Sequence, residues 1–152
     1  MTIYGDIDGL RIAIEIEKRG CTLYRRVLLI VKEARIHALL ATLLDDEIKH
    51  THYFESLLRD LEKDGDVGAD MESTALFAAV ASDIAFPGGI LKLVGCAENT
   101  ASIIASGIDS ENQSIAFYEH MLRNTASAAV RSVFSEIITE EKRHLARLEE
   151  LL

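Results

Sequence analysis

The chain has 152 residues, of which 49% are hydrophobic, and its formal net charge is -9. This length suits one domain with a substantial core, and an acidic balance with no basic face argues against nucleic-acid binding. The first residues, Met1 to Asp6, lack a basic region followed by an apolar stretch, so we expect no export signal and a cytoplasmic location. The two cysteines, Cys21 and Cys96, are too few for a disulfide framework or an iron–sulfur site.

Long segments carry apolar residues at alternating steps of three and four, which predicts an almost wholly helical protein. We divide the single domain, residues 1–152, into a helix pair at 8–62, a crossover at 63–95 and a second helix pair at 96–152. In the first pair, the predicted core stripes contain Leu10, Ile14, Glu17, Cys21, Tyr24, Leu28 and Val31, then Ile36, Leu40, Leu43, Glu47, His50, Phe54, Leu57 and Leu61. In the second pair they contain Ala97, Ala101, Ile104, Ile108, Glu111, Ile115, Tyr118 and Leu122, then Val130, Phe134, Ile137, Glu141, His144, Leu148 and Leu151.

The crossover is far longer than a hairpin, so the second and third long helices can run parallel. Its sequence predicts that the stretch 63–68 (KDGDVG) ends the second helix and that a short apolar helix covers 75–85, before the Pro-Gly-Gly break at 87–89. The stretch 75–94 is apolar, but Asp83 and the break argue against a membrane span. We expect this segment to pack along the bundle or at a subunit interface.

A Glu-x-x-His motif occurs twice, and each copy follows a further Glu by thirty residues. On a helix, a Glu and a His three residues apart lie on one face, where both can reach one ion. Two such pairs, each joined by a Glu from another helix, are the ligand set of di-iron and di-manganese carboxylate bundles. The six candidate metal ligands are Glu17, Glu47, His50, Glu111, Glu141 and His144.

The two motifs belong to an internal repeat of about forty residues. A shift of 94 residues superposes Glu17 on Glu111, Tyr24 on Tyr118, Leu28 on Leu122, Ala34 on Ala128, Glu47 on Glu141, His50 on His144, Glu55 on Glu149 and Leu57-Leu58 on Leu151-Leu152. If the paired glutamates lie at equal height on antiparallel helices, the turns must fall midway, near 31–34 and 124–127.

Every candidate ligand falls on a predicted core stripe. An isolated carboxylate in such a core would cost several kcal/mol or take up a proton, and the sequence places four there. Two divalent cations would balance their charge while two imidazoles complete the coordination. The alternative is a chance overlap of exposed Glu–His pairs with a helical pattern.

Two tyrosines lie seven residues after a candidate Glu, on the same helix face. The hydroxyls of Tyr24 and Tyr118 either hydrogen-bond a ligating carboxylate from a neighbouring helix, or the rings simply fill the core. The remaining histidines, His37, His52 and His120, lie off the stripes, and we expect them to face solvent.

The stretches 13–20 (AIEIEKRG), with Leu23-Tyr24 after it, and 140–145 (EEKRHL) resemble the ferritin-like superfamily, and most closely the rubrerythrin-like di-iron carboxylate proteins. The resemblance covers nearly the whole chain. It implies an all-α, ferritin-like four-helix bundle, with a long crossover between helices two and three, around two iron ions, with manganese or zinc as alternative metals. Rubrerythrins proper reduce hydrogen peroxide with electrons that enter through a rubredoxin-type iron.

Two departures from that family qualify the expected activity. The chain ends at Leu152 without the cysteine pairs of a rubredoxin domain, so we expect electrons from a separate, rubredoxin-type donor. Rubrerythrins also tend to have a further Glu one turn beyond the third-helix ligand, where this chain has Ser114, with Gly20 at the matching place in the first half. These differences leave the metal site itself intact.

The expected function is that of a di-iron oxidoreductase that reduces hydrogen peroxide or dioxygen. Glu47 and Glu141 would bridge the ions, Glu17 and Glu111 would be terminal or bridging, His50 and His144 would each bind one iron, and Tyr24 and Tyr118 would hydrogen-bond the ligands. The alternatives are ferrous-iron oxidation with iron handling, a di-iron substrate hydroxylase, and a metal-bound scaffold without activity. We expect a homo-oligomer, a dimer, with neither nucleic acid nor membrane as a partner.

Overall fold

The computed structural model describes residues 2–63, 71–84 and 99–152, with the side chains of 71–76 excepted. Five helices make up these ranges, and no strand occurs in them, so the predicted all-α class is confirmed. The helices are α1 (Asp6–Leu28), α2 (Ala34–Lys63), α3 (Met71–Ile84), α4 (Thr100–Asn124) and α5 (Ala128–Glu149).

The two tight turns lie where the repeat predicts them, at 29–33 and 125–127. Ser127 caps α5, because its side chain accepts a backbone N–H of the first turn. The first turn has no Gly or Pro to stop α1. There the carbonyl of Val27 accepts two N–H groups from the turn instead, which satisfies the end of the helix without a special residue.

The four long helices form the bundle, in which α1 packs on α2 and α4 packs on α5, while α1 meets α4 and α2 meets α5. The hydroxyl of Tyr24 reaches Glu111, and the hydroxyl of Tyr118 reaches Glu17. Tyr24 comes seven residues after Glu17 on α1, whereas its partner Glu111 comes seven residues before Tyr118 on α4. These two helices are therefore antiparallel. Since α1 and α2 are joined by a short turn and are also antiparallel, α2 and α4 run parallel, as the long crossover predicts.

The predicted core stripes are confirmed except near the start of α4. Their members are buried or partly buried in all four long helices. Ala101 is exposed, against expectation, and Ala97 lies outside the described residues. Tyr24 lies level with Glu111. Because α1 ends four residues after Tyr24, its end is level with Gly107, and the first turn of α4 extends beyond the end of α1. Ala101 therefore has no neighbour from α1 to pack against.

The crossover helix α3 packs mainly against α1 and also against α4. Its Ala81 is fully buried, and the guanidinium of Arg11 lies over the Phe77 ring, 5.6 Å from its centroid. The same guanidinium donates to Glu62 at 2.8 Å. The described part of the crossover thus packs along the bundle, in a helix that begins four residues before the predicted position, while the Pro-Gly-Gly break lies outside the described residues.

This cover explains why α1 buries more than one stripe. A second set of apolar side chains on α1 is also inaccessible, namely Ile12, Ala13, Ile16, Leu23 and Val27. Sequence periodicity alone predicted one seam, because it cannot show that a separate helix lies on the outer face. No helix in the described ranges is long and apolar enough to cross a bilayer.

Candidate metal centre

The fold brings the six candidate ligands together in the middle of the four-helix bundle. All of them are buried, with at most 5% of any residue exposed. Their ligand atoms form two groups, Glu17, Glu47, His50 and Glu141, and Glu47, Glu111, Glu141 and His144, each with all atoms within 4.8 Å of one another. Glu47 and Glu141 belong to both groups. Two ions could therefore lie side by side with these two carboxylates between them.

Helix geometry produces this convergence from both halves of the repeat. Glu47 and His50 lie almost one turn apart on α2, as do Glu141 and His144 on α5. On α1, Gly20 leaves room for the Glu47 carboxylate, because a Cβ at that position would lie only 2.7 Å from its Oε2. The close approach of α1 to this side chain thus depends on the absence of a side chain at Gly20.

Both imidazoles direct Nδ1 toward the carboxylates. His50 Nδ1 lies 3.0 Å from Glu141 Oε1 and 3.4 Å from Glu17 Oε2. His144 Nδ1 lies 3.0 Å from Glu141 Oε2 and 3.7 Å from Glu47 Oε1. The two rings are nearly parallel, with centroids 5.6 Å apart. Each half therefore offers one nitrogen to its own side of the shared cluster.

The other ring nitrogens are held by two acids that the sequence analysis missed. His50 Nε2 lies 2.7 Å from Glu140 Oε2, and His144 Nε2 lies 3.1 Å from Asp46 Oδ2. Such partners fix the tautomer and orientation of a ligating histidine. A signal was present, because the shift of 94 residues superposes Asp46 on Glu140, each directly before a candidate bridging Glu.

Each tyrosine hydroxyl reaches a glutamate of the opposite repeat. Tyr24 donates to Glu111 Oε1 at 2.5 Å, and Tyr118 donates to Glu17. Both rings are buried, and burial together with the nearby carboxylates raises the pKa of both phenols well above the usual value. The phenols therefore keep their protons and serve as donors. Of the two readings of the sequence, the hydrogen-bonding one matches this geometry.

The four carboxyls do not ionise alike. Burial, followed by repulsion from neighbouring glutamates, raises the pKa of Glu47, Glu111 and Glu141. Burial also opposes ionisation of Glu17, but its hydrogen bonds with His50, Glu47 and Tyr118 and the charge of His50 together lower its pKa. Burial disfavours the charged form of His50, yet the carboxylates of Glu141 and Glu17 raise its pKa to about 12. Without cations, these raised pKa values favour the protonated forms of Glu47, Glu111, Glu141 and His50.

One atom of the cluster tests whether a metal fits. Glu17 Oε2 is buried and, among the described residues, has no hydrogen-bond partner. Buried carboxylate oxygens are normally satisfied, and this one belongs to a group of potential ligands that includes Glu47 and His50. A cation there would satisfy it. The donor set of carboxylate oxygen and imidazole nitrogen suits iron, manganese or zinc.

The two sides of the site differ in the described part of the chain. Between α2 and α5, a cavity of about 170 Å³ is lined by Asp46, Glu140, Arg143, His144 and Arg147. On the opposite side, α1 and α4 contribute the tyrosines, and α3 packs on those two helices. A small molecule in this cavity would contact His144, one of the six candidate ligands.

Comparison with known proteins identifies the family. The Rubrerythrin family model matches residues 8–152. The chain belongs to the rubrerythrin family. No curated protein and no solved structure gave a significant match. Membership of the rubrerythrin family implies a ferritin-like bundle that binds two iron ions, and the buried Glu and His groups could hold them.

The chain has no carboxylate at the position one turn beyond Glu111. Ser114 is buried, and its hydroxyl donates to the Ser110 carbonyl at 3.1 Å, so this position offers no carboxylate. Gly20, at the matching place on α1, has no side chain, and the Glu47 carboxylate occupies the space beside it.

The remaining histidines lie away from the six-residue cluster. His120, expected to face solvent, is buried and bonds the Thr2 carbonyl at 2.9 Å, because the N-terminal segment lies on α4.

Proposed function

We propose that this protein is a di-iron oxidoreductase that reduces hydrogen peroxide or dioxygen with electrons from a separate, rubredoxin-type donor. The observation that carries the proposal is the pair of buried ligand groups that share Glu47 and Glu141. Two adjacent ions can act together on one small oxidant. Burial of every ligand favours retained metals over metals in transit, because release would leave the Glu17 Oε2 atom without a partner and would require the other buried carboxyls to take up protons.

In this proposal, each ion has its own imidazole and terminal carboxylate. His50 and Glu17 would hold one ion, and His144 and Glu111 would hold the other, while Glu47 and Glu141 belong to both groups. The four carboxylates together would balance the charge of two divalent ions. When bound, iron supplies two electrons, one from each ion, and the protein supplies geometry and a mostly dry pocket.

The remaining groups keep the ligands oriented. Asp46 and Glu140 fix the outward nitrogens of the histidines, and Tyr24 and Tyr118 fix the terminal carboxylates through hydrogen bonds. The reduction of hydrogen peroxide to two water molecules also consumes two protons. The carboxyls at the cavity stand between solvent and the imidazoles, on the side from which protons can enter.

The lining of the cavity supports a small polar oxidant over an organic substrate. Acidic and basic side chains surround it, whereas a hydroxylase substrate would need an apolar route to the ions. Iron handling is the second candidate, because Asp46 and Glu140 place two carboxylates beside the opening and hard oxygen ligands attract ferrous ions. The two candidates differ in the number of ions that each chain takes up.

Rapid mixing of the anaerobic, iron-loaded protein with each oxidant tests both candidates. Reduction of an oxidant predicts fast optical changes with peroxide or dioxygen at two irons per chain, and repeated turnover when a reductant is added. Uptake and oxidation of many more irons per chain would favour iron handling. Glu141→Ala should abolish the fast phase, while Glu136→Ala, an exposed position on the same helix, should retain it. A site inert to both oxidants would contradict the proposal.

A further inference from the structure

A cluster of aromatic rings leads from the metal cluster to the protein surface. The Tyr118 ring, whose hydroxyl bonds Glu17, has its centroid 5.4 Å from Phe54, 5.6 Å from Phe134 and 6.0 Å from Phe117. Phe117 in turn lies 6.2 Å from Tyr4. Tyr4 is partly exposed, just before α1. Two ring-to-ring steps thus connect a phenol at the site with a phenol at the surface.

Among the described residues, the other half of the repeat has no such cluster. The positions equivalent to Phe117, Phe134 and Phe54 under the shift of 94 residues are Leu23, Leu40 and Leu148. These leucines are fully or almost fully buried, so leucine fills the corresponding core around Tyr24 adequately. Core packing therefore does not by itself require the rings around Tyr118. Tyr24 and Tyr118 thus make equivalent hydrogen bonds to a glutamate but have different neighbours, which are leucines around Tyr24 and phenylalanines around Tyr118.

The N-terminal segment is fixed against the end of this ring path. The His120 ring on α4 bonds the Thr2 carbonyl at 2.9 Å, and His120 itself is buried. Asn124, one turn further along α4, donates to the carbonyl of His120. This contact holds the residues before α1 on α4 and so keeps Tyr4 beside Phe117. A defined ring contact at the surface is thereby maintained.

We propose that Tyr118, Phe117 and Tyr4 form a one-electron route between the metal site and the surface, and that the part of the chain that the structure describes gives Tyr24 no equivalent route. The inference rests on the proposed function, because it names the path by which an external one-electron donor re-reduces the site after peroxide has oxidised it. A phenol loses an electron far more readily than a benzene ring. Phe117 therefore serves as the medium between two oxidisable tyrosines.

Each transfer balances in electrons and protons. Tyr118 gives one electron to the oxidised site and its phenolic proton to Glu17, to which the hydroxyl already donates. Tyr4 then gives one electron to Tyr118, which recovers its proton from Glu17, and the proton of Tyr4 passes to water. A one-electron reductant in solution, together with a proton from water, restores Tyr4. Two passages return the two electrons that peroxide removed.

The route can be tested first without metal, because coupling between two tyrosines is the same in both directions. Tyr53 is the other tyrosine that reaches the surface, so Tyr53→Phe supplies the background, in which azide radicals generated by pulse radiolysis oxidise Tyr4. Electron paramagnetic resonance of frozen samples should show a second radical component that Tyr118→Phe removes and Tyr24→Phe leaves. Phe117→Leu, which copies the residue of the other half, should slow its appearance at least tenfold.

A second arm uses the iron-loaded protein and peroxide. A radical that disappears in Tyr4→Phe should form after mixing. Tyr118→Phe should abolish it, and Phe117→Leu, which leaves both tyrosine hydroxyls in place, should slow its appearance. Melting curves establish that each variant is folded. Equal loss of the second component in Tyr24→Phe and Tyr118→Phe in the metal-free arm, or no Tyr118 component there, would overturn the route. If iron fails to react with peroxide while the metal-free arm succeeds, the route stands and the proposed peroxide reduction fails.

Discussion

Replacement of Gly20 by alanine should separate metal binding from folding. A Cβ at this position would lie 2.7 Å from Glu47 Oε2 and 3.2 Å from Glu47 Cδ. The clash falls on the far end of a flexible side chain, so Glu47 can move aside when no metal holds it. Gly107 offers a matched control on α4, because a Cβ there meets Leu148 Cδ1 at 3.3 Å and no carboxylate.

Both substitutions replace a helical glycine with alanine. Alanine stabilises a helix by about 1 kcal/mol relative to glycine. Without metal, we expect both variants to melt at the parent temperature or up to about 4 °C above it. With metal, Gly20→Ala displaces a proposed bridging carboxylate and should weaken affinity by about tenfold to a hundredfold, as loss of an orienting contact typically does. A tenfold loss corresponds to about 1.4 kcal/mol, or roughly 3 to 6 °C of metal-dependent stabilisation in a chain of this size.

The assay is a set of anaerobic melting curves at fixed Fe²⁺ concentration, with and without metal, for the parent and both variants. Gly107→Ala should retain the full metal-dependent increase in melting temperature. An undiminished increase in Gly20→Ala would mean that Glu47 does not need its observed position to bind metal, and the close approach between α1 and Glu47 would lose its proposed purpose.

Three further predictions concern the charged groups. The pKa values of His50 and Glu47 are higher in the folded state than in the unfolded state. Their protonation therefore contributes fully to stability below the unfolded-state pKa values, and this contribution is lost as pH rises. The melting temperature of metal-free protein should therefore fall between pH 7 and 9, whereas the gain from metal should shrink toward pH 5, because the ligands must lose their protons; opposite slopes would contradict this. Asp46→Asn and Glu140→Gln should each weaken metal affinity about tenfold to a hundredfold in competition titrations, and unchanged affinity would remove them from the site. Arg11→Met should cost about 1 to 2 kcal/mol and speed hydrogen exchange in α3; unaltered exchange would show that this contact does not hold the crossover.

The helical bundle and the six clustered residues were predictable because both follow from spacing. Alternating steps of three and four residues predicted the four long helices. The thirty-residue interval predicted turns near 31–34 and 124–127, and the structure has them at 29–33 and 125–127. Ligands at equal height on antiparallel helices must converge when their stripes face one core. The repeat then made each half a check on the other, which no single Glu-x-x-His motif could provide.

Other features depend on contacts between helices that a linear pattern does not contain. Neither the spacing nor the stripes predicted that Glu140 would bond the histidine of α2, or that Asp46 would bond the histidine of α5. The burial of His120 likewise results from the N-terminal segment that lies across α4. In each case the partner is distant in sequence, and only the assembled bundle brings it within reach.

A count of bound metal tests the paired centre most directly. Anaerobic titration with Fe²⁺, followed by metal analysis, should saturate at two ions per chain, because the two ligand groups form one closed set with two shared carboxylates. Glu47→Ala and Glu141→Ala should lower occupancy to a similar extent, since the repeat makes them equivalent. Saturation at one ion or at none would contradict a two-metal centre, and a large loss in only one variant would contradict the shared role of the two glutamates.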